Sequence, residues 1–171
     1  MARRNSPLAV LIIGVIFIAA GYYIAFAKGW PILENARASS SWPAVAATVE
    51  SSQVSSHRNS DGKTMYQADV NFSYQVDGRP YRSNTVWFGG QYSSSDSAEQ
   101  YETVNRYPAG TKVEAFYNPQ QPHISVLEPG TKISSYMLFG FGMVFFCVGV
   151  GLLGFPLLKL IVVLVLAAKS N

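Results

Sequence analysis

Cysteine is almost missing from this chain, which carries only Cys147. No intrachain disulfide can form, and residues 30–133 hold no thiol for a scaffold or a thiolate metal site. Histidine is nearly as scarce, with only His57 and His123. A metal site needs three or four convergent ligands, so neither a metal nor another cofactor is expected. Phosphate-binding fingerprints are lacking too: Gly89-Gly90 precedes a helix signal but has neither the lysine nor the spacing of such a loop. No serine lies in a Gly-x-Ser-x-Gly turn, so nucleophilic catalysis lacks its usual frame. Carboxylates such as Asp61 and Asp69 have no separation fixed by sequence, which leaves glycosidase chemistry unsupported. The chain is therefore expected not to be an enzyme.

Charge is absent from two long stretches, Pro7–Ala27 and Ile133–Leu158. A helix rises about 1.5 Å per residue, so about 20 residues cross a hydrocarbon core of about 30 Å. A soluble core helix of that length would show a polar stripe, so both stretches are read as transmembrane helices. A cleaved signal peptide is the rival reading of the first, because Ala25-Phe26-Ala27 has small-x-small form after a basic start. The apolar run exceeds the usual signal core of about 7–15 residues, and Tyr22 and Tyr23 fit an interfacial anchor. An uncleaved helix is expected.

The formal net charge of +3 conceals a segregation. Between Glu34 and Lys132 eight basic residues face all ten acids, a formal charge of −2. The other basic residues, Arg3, Arg4, Lys28, Lys159 and Lys169, flank the apolar runs. This distribution offers no clustered basic face for nucleic acid. Arg3 and Arg4 precede the first helix, and Lys159 and Lys169 follow the second. Positive flanks stay in the cytoplasm, so both termini are expected inside and residues 30–133 outside.

Between the helices the pattern changes to period two. Tyr66, Ala68, Val70, Phe72, Tyr74 and Val76 share one parity, and Gln67, Asp69, Asn71, Ser73 and Gln75 the other. This predicts a long half-buried strand. Val45, Ala47 and Val49 predict a strand before it, and Asp77-Gly78 a tight hairpin into a third strand over Tyr81–Phe88. Asp96 and Glu99 have capping-box spacing for a short helix over Ala98–Arg106. Strands over Lys112–Tyr117 and Ile124–Leu127 follow, joined by an Asn118-Pro119 turn. The expected fold is a membrane protein with an α+β ectodomain: a small antiparallel β-meander, barrel-like or a sandwich, with one short helix. The divisions are a cytoplasmic N-terminus (1–6), a transmembrane helix (7–27), a connector (28–41) and an extracytoplasmic β domain (42–130). A second transmembrane helix (134–158) and a cytoplasmic or interfacial tail (159–171) complete the chain. The tail is apolar past Lys159, so either the helix runs long and tilted or Pro156 kinks it.

The segment Tyr107-Pro108-Ala109-Gly110 running into Val113-Glu114-Ala115-Phe116-Tyr117-Asn118-Pro119-Gln120-Gln121-Pro122, then Leu127-Glu128-Pro129-Gly130, is distinctive. It resembles the pattern of a widespread bacterial family catalogued only as a domain of unknown function, number thirty-five ninety-two. Trp42-Pro43 and Tyr74-Gln75-Val76-Asp77-Gly78 with Tyr81 match its earlier part. The resemblance implies flanking membrane helices and a cell-envelope setting, and implies no activity.

Two groups of residues are candidates for contacts. Trp87, Phe88 and Tyr92 cluster at the end of the third strand. Alternation would expose either Trp87 or Phe88, as a partner anchor or a headgroup contact, with core filling as the plain alternative. In the membrane segments, Gly14 and Gly21 on one helix, and Gly140, Cys147, Gly151 and Gly154 on the other, form small-residue ridges suited to helix pairing within or between chains. Neither helix holds an acid, which argues against an ion pathway. The expected function is that of a non-catalytic bacterial inner-membrane protein whose outer β domain, periplasmic or extracellular, binds a protein partner. Its partners would be the lipid bilayer and another protein or a second copy. An envelope hydrolase and an immunity or inhibitor protein against an envelope toxin are the alternatives.

Overall fold

A computed structural model of the chain describes residues 7–169, without the side chains of residues 7, 156–164, 167 and 168. The expected cytoplasmic segment 1–6 and the Lys159 side chain lie outside the described residues. The chain divides into a helical unit, residues 1–31 with 137–171, and a sheet unit, Ile32–Tyr136.

The first helix is longer than its apolar run. Helix α1 (Pro7–Tyr22) continues through a π-helical segment (Tyr23–Gly29) into α2 (Trp30–Ser39). The wider turns come just before Pro31, whose ring would clash with the i−4 carbonyl of a regular α-helix. Helix α4 (Ile133–Lys169) runs unbroken past Pro156. Leu8–Ser39 and Ile133–Phe155 are both long and apolar enough to cross a membrane.

Within the helical unit the two helices meet backbone to backbone. A Cβ added to Gly21 would lie 2.3 Å from the Phe146 nitrogen, and one on Gly142 would lie 2.4 Å from the Ala25 nitrogen. Gly29 sits against Phe139, Gly14 against Leu153, and Gly149 against Ile18. Phe17 stacks on Phe145 with centroids 5.2 Å apart. Gly14 and Gly21 thus lie in this contact, but the expected ridge of the second helix does not. Gly140, Gly151 and Gly154 have nothing within 4 Å of an added Cβ, and Cys147 is exposed. The correction is one of register. Gly142 and Gly149 repeat every seven residues as Gly140 and Cys147 do, but two residues further on, about 200° round the helix. Spacing alone could not choose between the two ridges.

The sheet unit is one antiparallel, five-stranded open sheet in the order β3-β2-β1-β4-β5. The strands are β1 (Ala44–Arg58), β2 (Thr64–Val76), β3 (Arg79–Ser83), β4 (Lys112–Asn118) and β5 (Gln121–Val126). Among the described residues the sheet is open and no second sheet forms, while β3 and β5 approach each other, Ser83 Oγ donating to the Ser125 carbonyl at 3.3 Å. Past the strand ends, Leu127 N–H donates to the Val86 carbonyl at 3.1 Å and Glu128 N–H to the same oxygen at 2.7 Å. The Asp77-Gly78 turn joins β2 to β3 with both residues at positive φ (50° and 75°), the two-residue hairpin geometry whose twist suits flanking strands. Helix α3 (Ala98–Arg106) spans the predicted residues. It packs against β2 and β1 through buried Gln100 and Thr103.

The predicted alternation on β2 places Val70, Phe72, Tyr74 and Val76 in the core, with Ala47 and Val49 from β1, Ala115 from β4 and Val126 from β5. Phe72 is fully buried. Its truncation, Phe72→Ala, should lower unfolding free energy by about 3–5 kcal/mol, read by denaturant titration of the detergent-solubilised chain. In the helical unit, Gly21→Ile should lower the melting temperature and Gly140→Ile should leave it unchanged. Equal effects from the two would discard the helix contact described here.

Candidate interaction surface

Sequence alternation pointed to Trp87, Phe88 and Tyr92, and the structure puts the first two elsewhere. Strand β3 ends at Ser83, so period two no longer applies at Trp87 and Phe88, and both are buried. The Trp87 indole N–H donates to Ser134 Oγ at 3.1 Å, and Phe88 meets Trp42 edge-on at 5.7 Å. Ser135 Oγ donates to the Phe88 carbonyl at 2.6 Å. Neither ring is an exposed anchor; they fill the core, the plainest of the three roles open to them. Tyr92 is half-buried and gives its hydroxyl to Glu99. Burial, then the Glu99 carboxylate, pushes its phenol up to about 12.

The strongest electrostatic feature is one that sequence reading missed. Glu128 leaves β5 with its side chain only 18 % exposed, and three donors converge on it. Arg106 Nη1 donates to Oε1 at 2.7 Å, the Tyr107 hydroxyl donates to the same oxygen at 2.9 Å, and Lys132 Nζ reaches Oε2. The Lys132 ammonium also stands 4.0 Å from the centre of the Trp87 ring, a cation–π contact. The cluster ties the end of α3, the exit from β5 and the approach to α4, all within the sheet unit. All three groups donate to one carboxylate, and Arg106 Nη2 donates to Glu102 as well at 2.7 Å, so the arrangement ties elements together. Among the described residues, no three His, Cys, Asp or Glu side chains are grouped to hold a metal. His57 is the penultimate residue of β1, beside an exposed turn where Asn59 Oδ1 accepts from the Asp61 and Lys63 amides. His123 lies exposed on β5.

What the sheet leaves open is an edge. Strand β1 pairs with β2 over its full outer length, from Ala47 to Arg58. Strand β4 pairs with it only from Ala44 to Thr48, and the loop before β4 bonds Val49 through Gly110 and Thr111. A bulge at Glu50 separates the two stretches. On the far side of the hairpin, Tyr66 exchanges bonds with Ser94, and Ala68 N–H donates to Gln100 Oε1. Tyr66 and Ala68 therefore turn their backbone groups away from β1. Facing residues in an antiparallel ladder either bond each other or both turn outward. Their partners Ser56 and Val54, and by alternation Ser52 opposite Val70, must turn outward on the other side. Among the described residues no partner meets these outward groups beyond Val49. The run Ser51–Ser56 contains no charge and no proline, the usual guards of an edge strand. The polar face of β1, β2 and β3 carries a shallow groove with the exposed Glu50–Arg82 pair, 3.1 Å apart; such a surface pair contributes little stability.

The profile of the family described as Domain of unknown function (DUF3592) matches residues 45–132. That is more than half of the chain, and the chain belongs to this family. A search of curated proteins finds no match. Within the matched stretch Tyr107 and Glu128 are bonded to each other, and Asn118 Oδ1 accepts from the Gln120 amide at 2.9 Å in the β4–β5 turn.

Burial alone would raise the Glu128 carboxyl pKa, but the bonds from Lys132, Tyr107 and Arg106 together outweigh it and hold the value below the ordinary range. Its stabilising contribution is complete above the usual glutamate pKa of about 4.3 and fades as pH falls. Thermal melts from pH 7 down to pH 3 should therefore show a steeper acid loss in the native chain than in Glu128→Gln. At neutral pH the variant should be less stable by about 1–3 kcal/mol.

Proposed function

We propose that this family member is a non-catalytic, membrane-anchored protein of the bacterial cell envelope whose sheet domain binds a protein partner. The apolar helices cross the inner membrane with both termini in the cytoplasm, and the sheet domain lies outside. The basic flanks Arg3, Arg4, Lys159 and Lys169 support this orientation.

The single observation that carries the binding role is the open β1 edge. Backbone N–H and C=O groups that lack partners are a template for another strand, and strand addition is a common mode of peptide recognition. A strand added there would bond the outward groups of Ser52, Val54 and Ser56. The neighbouring side chains on both faces are small or polar, so the backbone supplies the affinity.

Two measurements test this reading. A membrane-impermeant maleimide applied to intact spheroplasts should label Ser60→Cys in a Cys147→Ser background; protection until lysis would reverse the topology. The outward amide of Val54 is not used by β2, so Val54→Pro removes an edge donor while sparing the hairpin. Proximity crosslinking in native membranes should capture a partner with the native chain and lose it with Val54→Pro at unchanged melting temperature. Equal capture by both would remove the edge from the function.

A further inference from the structure

The first turn of α4 is inside out for water. Ser135 is fully buried, while Ile133 is 85 % exposed. Bonds within the sheet unit set this phase. Lys132 N–H donates to Ser135 Oγ at 3.1 Å, Ser135 Oγ donates to the Phe88 carbonyl at 2.6 Å, and the Trp87 indole N–H donates to Ser134 Oγ at 3.1 Å. Gly89 lies so close that an added Cβ would stand 2.7 Å from the Ser134 carbonyl oxygen. The segment Trp87–Gly89 therefore claims both serines. Ile133 and Tyr136, neighbours on the helix surface at i, i+3, are left outside.

Beside them stands a cation without an acid. Arg37, exposed on α2, holds its guanidinium carbon 5.9 Å from the centre of the Tyr136 ring. Among the described residues no ion pair joins Arg37 to Glu34 or to any other carboxylate; Arg82, Arg106 and Lys132 take Glu50, Glu102 and Glu128. We propose that Arg37, Tyr136 and Ile133 form a seat for an anionic phospholipid, with the guanidinium on the headgroup phosphate and Ile133 against the glycerol and first acyl carbons beside it. This seat rests on the proposed membrane anchoring and adds a lipid ligand to it.

Three features favour lipid. First, fully burying an isoleucine stabilises by about 1.5–3 kcal/mol, and the helix phase gives this up for Ile133 in favour of two serines, which suits apolar surroundings outside. Second, Ile133 opens the charge-free run Ile133–Leu158, so it stands where that run enters the bilayer, and Tyr136 is of the aromatic type that marks this boundary. Third, the charges are complementary. A guanidinium keeps its charge at any working pH and meets phosphate oxygens in pairs, and contact with the Tyr136 ring holds it ready. A protein partner would have to bring an apolar pocket and an anion to this one depth. A phospholipid carries both there already, and an anionic headgroup lacks the ammonium that would compete with Arg37.

The test uses the purified full-length chain in lipid nanodiscs, which hold no other protein partner. Nanodiscs of phosphatidylcholine mixed with phosphatidylglycerol should raise the melting temperature by a few degrees over phosphatidylcholine alone. Arg37→Gln should lose that rise while melting as the native chain does in phosphatidylcholine, Arg37→Lys should keep part of it, and Arg58→Gln, at another exposed arginine, should keep all of it. Inorganic phosphate added to phosphatidylcholine nanodiscs should give no rise. In a Cys147→Ser background, an environment-sensitive dye on Ile133→Cys should emit further to the blue than the same dye on Ser60→Cys. No rise with phosphatidylglycerol, or an equal loss in Arg37→Gln and Arg58→Gln, would overturn the seat. An equal rise with inorganic phosphate would make it an anion site and overturn the lipid. Water-like emission at Ile133→Cys would remove the acyl contact and overturn the seat as described. A chain that stays in solution without lipid or detergent would overturn the membrane anchoring itself.

Discussion

The ladder between β1 and β2 is the interaction on which the sheet unit depends. Its eleven facing pairs run from Ala47–Tyr74 to Arg58–Thr64, and in the strand order β1 stands between the β2–β3 half and the β4–β5 half. Val49, Val70 and Phe72, all fully buried, come from these two strands. The same ladder also creates the open edge. Because β1 must extend to match a long β2 while β4 is only a short strand, the outer half of β1 is held on one side and bare on the other. The buried ladder and the bare edge arise from a single mismatch in strand length.

Electrostatics plays a narrower part. The Glu128 cluster fastens the helix α3 exit to the end of the sheet at a point where the chain has left regular structure. A carboxylate so enclosed is tolerable only because three donors, the adjacent Arg106 and Tyr107 with Lys132, oppose the desolvation. The exposed Arg82–Glu50 pair contrasts with it, since both of its groups remain wet and free to exchange partners.

Much of this fold is legible in the sequence, and what is not has identifiable causes. The apolar runs, the β2 alternation, the Asp77-Gly78 hairpin and α3 over Ala98–Arg106 all follow from local rules that tertiary packing did not override. The outer half of β1 is hidden because Ser51–Arg58 has a single apolar residue, Val54, and so no alternation; only its pairing with β2 makes it a strand. Trp87 and Phe88 misled because alternation was extended past the end of β3. The Glu128 cluster was out of reach because its members meet through tertiary contacts between Arg106 and Glu128 that no spacing rule encodes. In the helical unit, two equally spaced ridges competed, and only packing could choose Gly142 and Gly149.

That packing has an evolutionary corollary. Where an added side chain at Gly14 would meet Leu153, the obstruction is itself a side chain, and a smaller residue at 153 could restore the fit. At Gly21 and Gly142 the obstruction is the neighbouring main chain, at Phe146 and Ala25, and no exchange of side chains can move it aside. Drift along the two helices can therefore proceed by compensating pairs at one end of the contact, while at its centre each glycine is fixed independently of everything around it.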